Sequence, residues 1–175
     1  LRLLVVGGSL GARALNEIVP QAVALMPVDQ RPVVIHQSGA TQIDALRANY
    51  AAAGVQAECT PFIDDTASAF AQADIIVCRA GASTVTEIAA VGAAAVFVPF
   101  PHAVDDHQSA NARFLVDAGG GWLVPQRDLT PQGLAELLSK MQRSALVQCA
   151  LEAKKMQKTQ AAREVALACE ELAAR

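Results

Sequence analysis

Residues 74–89 read DIIVCRAGASTVTEIA, and this stretch decides the fold. The apolar run Ile75, Ile76, Val77, Cys78 has the length and composition of a strand buried on both faces. It stops at Arg79, turns through Gly81 and Ala82, and opens a helix with Ser83 and Thr84, leaving Glu87 one turn in. Small residues at such a turn let a ligand approach the backbone, and the first N–H groups of the helix then face an anion. A carboxylate one turn further on suits the hydroxyls of a sugar diol. Thr84 and Glu87 are therefore candidate binding residues. Thr84-x-x-Glu87 also has the spacing of a capping box, which would only satisfy orphan N–H groups.

The same alternation extends in both directions. Strands are expected at residues 1–6, 33–36, 55–60, 75–78, 94–98 and 122–124. Helices are expected at 12–26, 41–53, 66–73, 84–91 and 108–118. Pro20 should bend the first helix or end its first half, and Thr41 with Asp44 is spaced like a capping box. From Pro131, capped by Thr130, the chain reads as helical with breaks near Arg143 and Thr159. Near-continuous apolar strands separated by helices imply a parallel sheet covered on both faces. The expectation is an α/β, Rossmann-like, doubly wound parallel sheet of six strands, forming a single domain over residues 1–175 with a helical tail at 144–175.

Composition narrows the function. The chain has 175 residues, 53% hydrophobic but only 4% aromatic, with a formal charge of −3. That balance argues against a nucleic-acid binder, which carries a basic stripe. No apolar run is long enough to span a bilayer, and no signal peptide opens the sequence. Cys59, Cys78, Cys149 and Cys169 are scattered without a CxxC, which reads as reduced thiols. Lys154, Lys155 and Lys158 read as a solvated helix face. The chain begins at Leu1, already inside a strand, so a fragment lacking an N-terminal part is expected.

Ligands of such sheets bind outside the carboxyl ends of the strands. The unusual residues follow those ends: GGSLG (residues 7–11), HQSG (36–39), FIDD (62–65), the turn at 79–84 and HAVDDHQ (102–108). GGSLG is neither GxGxxG nor a Walker loop. It does match GxSxG, the nucleophile elbow of hydrolases, with Asp105 and His107 following in the required order. A diphosphate cradle of backbone N–H groups is the favoured reading of Gly8, Ser9 and Gly11, with the esterase as alternative. In HAVDDHQ no third His or Cys cluster completes a zinc shell, so a polar active-site loop is expected rather than a metal site. Gln108 and Asn111 could reach a sugar hydroxyl or serve as ordinary caps. Arg79 could meet a phosphate, or form a structural ion pair with Asp64, Asp65 or Asp74. His36 and Cys78 are expected to pack near the rim without chemistry.

Taken together, GGSLGA, HQSG, FIDD, CRAGASTVTEIAAVG and VPFPHAVDDHQSANA occur in the order and at the spacing of the MurG family, which this sequence resembles from residue 1 to about 130 by motif. That family transfers N-acetylglucosamine from UDP-GlcNAc to the lipid-linked muramoyl pentapeptide of bacterial cell-wall synthesis. The resemblance is to the C-terminal, donor-binding half of a GT-B fold. It implies that Ser9 and its glycines face the diphosphate and that Ile63, after Phe62, reads the uracil edge. Gly81, Ala82 and Thr84 would lie against the nucleotide and phosphate, and Glu87 would accept the ribose hydroxyls. Gln108 and His107 would contact the GlcNAc hydroxyls. His107 stands where the family often has glutamine, as does Leu10. The resemblance further implies an inverting, metal-independent reaction with no cofactor. The missing half would supply the acceptor site, the general base and the contact with the cytoplasmic face of the inner membrane. The isolated chain is expected to bind donor without turnover. A UDP-GlcNAc epimerase of the same fold is a further alternative.

Overall fold

The computed structural model describes residues 1–8, 11–101 and 104–174. Its six strands are β1 (Arg2–Val6), β2 (Val33–Gln37), β3 (Glu58–Thr60), β4 (Ile75–Cys78), β5 (Ala95–Phe97) and β6 (Trp122–Leu123). All pairs are parallel, and the order is β3-β2-β1-β4-β5-β6, the doubly wound arrangement. The helices are α1 (Arg13–Leu25), α2 (Ile43–Ala52), α3 (Thr66–Gln72), α4 (Ala82–Val91), α5 (His107–Val116), α6 (Pro131–Lys140), α7 (Arg143–Lys155) and α8 (Ala161–Ala173). Short 3-10 turns at Val28–Gln30, Val104–Asp106 and Gln126–Asp128 were not foreseen from the sequence.

Alternate residues of each strand feed opposite faces, because successive side chains of a strand point opposite ways. Leu3, Val5, Val34, Ile75, Val77 and Val96 join α1, α2 and α6 in one core. Leu4, Ile76, Cys78, Ala95 and Phe97 join Phe70 of α3 and residues of α4, α5 and α7 in the other. Leu15, Leu46 and Leu134 are essentially inaccessible to water, so truncating any of them to alanine costs about 2–5 kcal/mol.

Several expectations are corrected. The expected strand at 55–60 begins at Glu58, and the expected helix at 41–53 begins at Ile43. Its N-cap is Gln42, whose side chain makes no capping bond, so the Thr41–Asp44 capping box does not form. Pro20 does not end α1, which runs unbroken through it. Lacking an N–H, Pro20 leaves the Asn16 carbonyl without its usual intrahelical donor. Asn49 of α2 fills the gap, its Nδ2 donating to that carbonyl at 2.9 Å. The helical tail at 144–175 is interrupted around Thr159, as expected. α7 buries Leu146, Cys149 and Ala153 and belongs to the globular core, whereas α8 buries none of its residues.

Candidate functional site

The strand register defines a rim. Thr60, Gln37, Val6, Cys78, Phe97 and Leu123 stand in one line across the sheet, so the loops that leave them emerge side by side. Strand order reverses between β1 and β4. The connection from β1 goes to β2 on one side, and that from β4 goes to β5 on the other. The crevice where such a sheet takes its ligand therefore lies between the Gly7–Gly11 turn and the Arg79–Gly81 turn.

The Gly7–Gly11 turn needs its glycines. Gly8 has φ +85° with open space around an added Cβ, while Gly11 has φ +74° and a Cβ there would lie 2.1 Å from the Ser38 carbonyl oxygen. The Gly11 N–H closes the turn onto the Gly8 carbonyl at 2.8 Å. The chain then enters α1 through Ala12, whose side chain offers no cap.

Across the crevice, α4 starts two residues earlier than the sequence suggests. Gly81 is its N-cap, in extended conformation (φ −63°, ψ 149°) and without a side chain to cap the first turn. Thr84 is thus the third helical residue, and the capping-box reading of Thr84 and Glu87 fails. The consequence favours ligand binding, because no side chain caps the N–H groups of the first turn from within α4. Ala82 is exposed, while Thr84 and Glu87 are half-buried on one face of the helix. Among the described residues, nothing hydrogen-bonds or pairs with the Glu87 carboxylate.

The flanking loops complete the rim. Phe62 is 56% exposed, and its carbonyl accepts from Thr60 Oγ1 at 2.7 Å; Ile63 packs partly against the core. Asp65 caps α3 by accepting from the Ser68 N–H, and hydrogen bonds from the Ser68 side chain and then its N–H hold the carboxyl below the usual carboxylate range. After β5, His107 and Gln108 open α5. Gln108 Oε1 accepts from the Phe100 N–H at 2.9 Å, which fixes the amide beside the loop. Asn111 donates from Nδ2 to the Ala80 carbonyl at 3.1 Å, tying α5 to the β4 turn. Asp105 and Asp106 both adopt left-handed φ, at 53° and 51°. Ser9, Leu10 and His102, named in the sequence reading, lie outside the described residues. Among the described residues no group of three or more His, Cys, Asp or Glu could hold a metal.

Arg79 corrects another expectation. It forms no ion pair with Asp64, Asp65 or Asp74. Its guanidinium donates to the Val98 and Pro99 carbonyls at 3.0 and 3.1 Å and to Gln126 Oε1 at 2.6 Å, and lies over the Phe100 ring. Asp74 instead accepts from the Arg2 N–H and pairs with Arg143 at 3.2 Å. Burial lowers the Arg79 pKa but leaves the group charged at the rim.

Beneath the rim lies a polar cluster that sequence reasoning missed. His36 is wholly buried, accepting at Nδ1 from the Tyr50 hydroxyl (2.9 Å) and donating from Nε2 to Asn16 Oδ1 (3.0 Å). The Asn16 amide nitrogen donates to the Ser38 carbonyl and to Gln42 Oε1, which leaves its oxygen as the acceptor and so fixes the tautomer. Burial pushes the His36 pKa down to about 3, so the ring is neutral and structural, and burial also holds Cys78 as a thiol. The presence of His, Gln and Ser at the end of an apolar strand was the available signal for this cluster. A cavity of about 740 Å³ lies elsewhere, lined by Arg2, Val33, Gln56, Glu58 and Gln72 among others, and includes none of the candidate residues.

Residues 2–168 match the model of the glycosyltransferase family 28 C-terminal domain. The chain is 78% identical over 174 residues to the UDP-N-acetylglucosamine–N-acetylmuramyl-(pentapeptide) pyrophosphoryl-undecaprenol N-acetylglucosamine transferase of Paracidovorax citrulli, covering 99% of this chain and 49% of that protein. Against the Ralstonia nicotianae protein of the same name the identity is 59% over 172 residues, covering 97% of this chain and 47% of that protein. The crystal structure of Acinetobacter baumannii MurG superposes with a TM-score of 0.87 at 46% identity, covering 94% of this chain and 50% of that one. The chain thus spans about half the length of the curated relatives it matches. These likenesses support neither the esterase nor the epimerase alternative. By its sequence, its strand order and its match over nearly its whole length, the chain belongs to the glycosyltransferase family 28 C-terminal domain family.

Proposed function

We propose that this chain is the donor-binding half of an inverting transferase that moves GlcNAc from UDP-GlcNAc to a lipid-linked muramoyl pentapeptide. The observation that carries the reading is the β1/β4 switch point, flanked by two helix N-termini, α1 and α4, without side-chain caps, with the half-buried Glu87 in the second turn of α4. The Gly8 N–H, the uncapped first turn of α1 after Gly11, and the N–H groups of Gly81, Ala82 and Thr84 hold the diphosphate. Ser9 adds its hydroxyl to that cradle. The Glu87 carboxylate accepts from the ribose hydroxyls, and the backbone at Ile63, beside Phe62, meets the uracil edge. Gln108 and His107 face the GlcNAc hydroxyls.

During transfer the acceptor oxygen forms a bond to the sugar C1 as the C1–O bond to the diphosphate breaks. The bonding electrons leave with UDP, and the fixed N–H donors and helix N-termini stabilise the charge growing there. This leaving-group stabilisation calls for no metal and no cofactor. The general base and the acceptor site belong to the other half of the full-length relatives, as does contact with the cytoplasmic face of the bacterial inner membrane. Among the described residues, no helix is long and apolar enough to cross a membrane.

Calorimetric titration of the chain with UDP-GlcNAc and UDP-GalNAc tests this. The expected result is weak binding that prefers UDP-GlcNAc and weakens about tenfold or more in Glu87→Ala, the size of losing a hydrogen bond to a charged group. Equal binding of both sugars, or an unaffected Glu87→Ala, would overturn the assignment of these residues. Detectable transfer to a lipid acceptor by this chain alone would overturn the division of labour.

A further inference from the structure

One buried amide joins two of the rim loops. Gln37 ends β2 and is 3% exposed, so it touches no ligand. Its Oε1 accepts from the Gly7 N–H at 3.1 Å, while its Nε2 donates to the Gly8 carbonyl at 2.9 Å and to the Pro61 carbonyl at 3.3 Å. The partners fix the amide's orientation, since a flipped amide would set donor against donor and acceptor against acceptor.

The Gly8 carbonyl also receives the Gly11 N–H, so both its lone pairs are engaged inside the turn. A carbonyl oxygen pointing outward would present negative charge to an approaching anion; held by Gln37 and the Gly11 N–H, the Gly8 oxygen is kept from doing so. Pro61 directly precedes Phe62 and Ile63. The same side chain therefore sets the inner wall of the glycine-rich turn and the start of the loop after β3.

We propose that Gln37 is a positioning residue for nucleotide-diphosphate binding: it holds the Gly7–Gly8 turn in its anion-accepting form and fixes the Pro61–Ile63 loop relative to it. The inference rests on the donor-site reading above.

Two variants test it. Gln37→Leu removes all three bonds. Gln37→Glu keeps an acceptor for Gly7 but can donate to Gly8 only when its carboxyl is protonated. Burial raises a carboxyl pKa, so this variant has its clamp at about pH 5.5 and loses it as the pH rises to about 8. The ionisable groups on the flanking segments, His36 beside it, Cys59 on β3, and Asp64 and Asp65 on the next loop, are common to all three proteins. UDP-GlcNAc, esterified at both ends of its diphosphate, keeps its charge across this range.

Titrations are run at both pH values at a temperature where circular dichroism shows each protein folded. Wild type should bind with similar affinity at both. Gln37→Leu should bind about tenfold more weakly at both, and Gln37→Glu should approach wild type at the lower pH and fall about tenfold at the higher. If Gln37→Leu does not fold, the two-pH comparison within Gln37→Glu decides alone. Wild-type-like binding at both pH values, or an equal loss at both in Gln37→Glu, overturns the proposal and leaves the donor site intact. Failure of the wild type to bind overturns the donor-site reading instead.

Discussion

At the residue scale, the chain places polarity where its chemistry needs support. His36 is a base buried without a compensating charge, and its neutral ring links α1 to α2 through Asn16 and Tyr50. A folded-state pKa of about 3 lies below the ordinary histidine value, so the unfolded chain binds the extra proton as the pH falls. Stability from this residue is therefore fully present above about pH 7 and declines below about pH 6.5 toward pH 3, at up to about 1.4 kcal/mol per pH unit. Urea unfolding at a series of pH values checks the slope. In NMR spectra the His36 ring should remain the neutral Nε2–H tautomer down to about pH 4. The strand, turn and helix that carry Thr84 and Glu87 were legible in the sequence because they are local patterns. Gln37, Asn16 and Tyr50 were not, because their meaning depends on partners 14 to 30 residues away. The Arg79 partners were likewise hidden. A guanidinium bonded to carbonyls of the β5 loop and to Gln126 leaves no charge pattern in the chain.

At the element scale, the alternation of apolar runs identified all six strands and their parallel order of burial, since a strand covered on both faces has no polar side to confuse with a loop. Helix starts were less legible. α4 begins at Ala82 after Gly81, which serves as N-cap by its conformation alone, so hydroxyl-based reasoning placed the start at Thr84. Pro20 does not end α1, for a different reason. The helix survives it because a side chain from α2 takes over the carbonyl it strands. This substitution of partners is testable. Asn49→Ala should cost about 1–3 kcal/mol by leaving the Asn16 carbonyl unsatisfied. In a Pro20→Ala background the cost should shrink, because residue 20 regains an N–H for that carbonyl. A double-mutant cycle in urea measures the coupling, and strict additivity would contradict the explanation.

At the scale of the whole molecule, two cores, one on each face of the sheet, hold the C-terminal ends of the strands in line, and the loops there inherit that alignment. α7 helps from a distance by packing on α4, where Lys154 Nζ donates to the Ala90 carbonyl near the C-terminal end of the helix whose N-terminus faces the crevice. α8 contributes no buried residue and leaves Val165, Leu167 and Leu172 exposed. Ending the chain at Gln160 should therefore change unfolding free energy by no more than about 0.5 kcal/mol. A loss of several kcal/mol on urea unfolding would show that α8 packs in solution. The central claim is that the crevice at the β1/β4 switch point, and not the cavity near Arg2 and Val33, takes the nucleotide sugar. Amide chemical-shift mapping with UDP-GlcNAc tests this most directly. The account predicts perturbations at Gly7, Gly8, Gly11, Phe62, Ile63, Gly81 to Thr84 and Glu87, with Val33, Gln56 and Glu58 unmoved. Shifts confined to Val33, Gln56, Glu58 and their neighbours would contradict it.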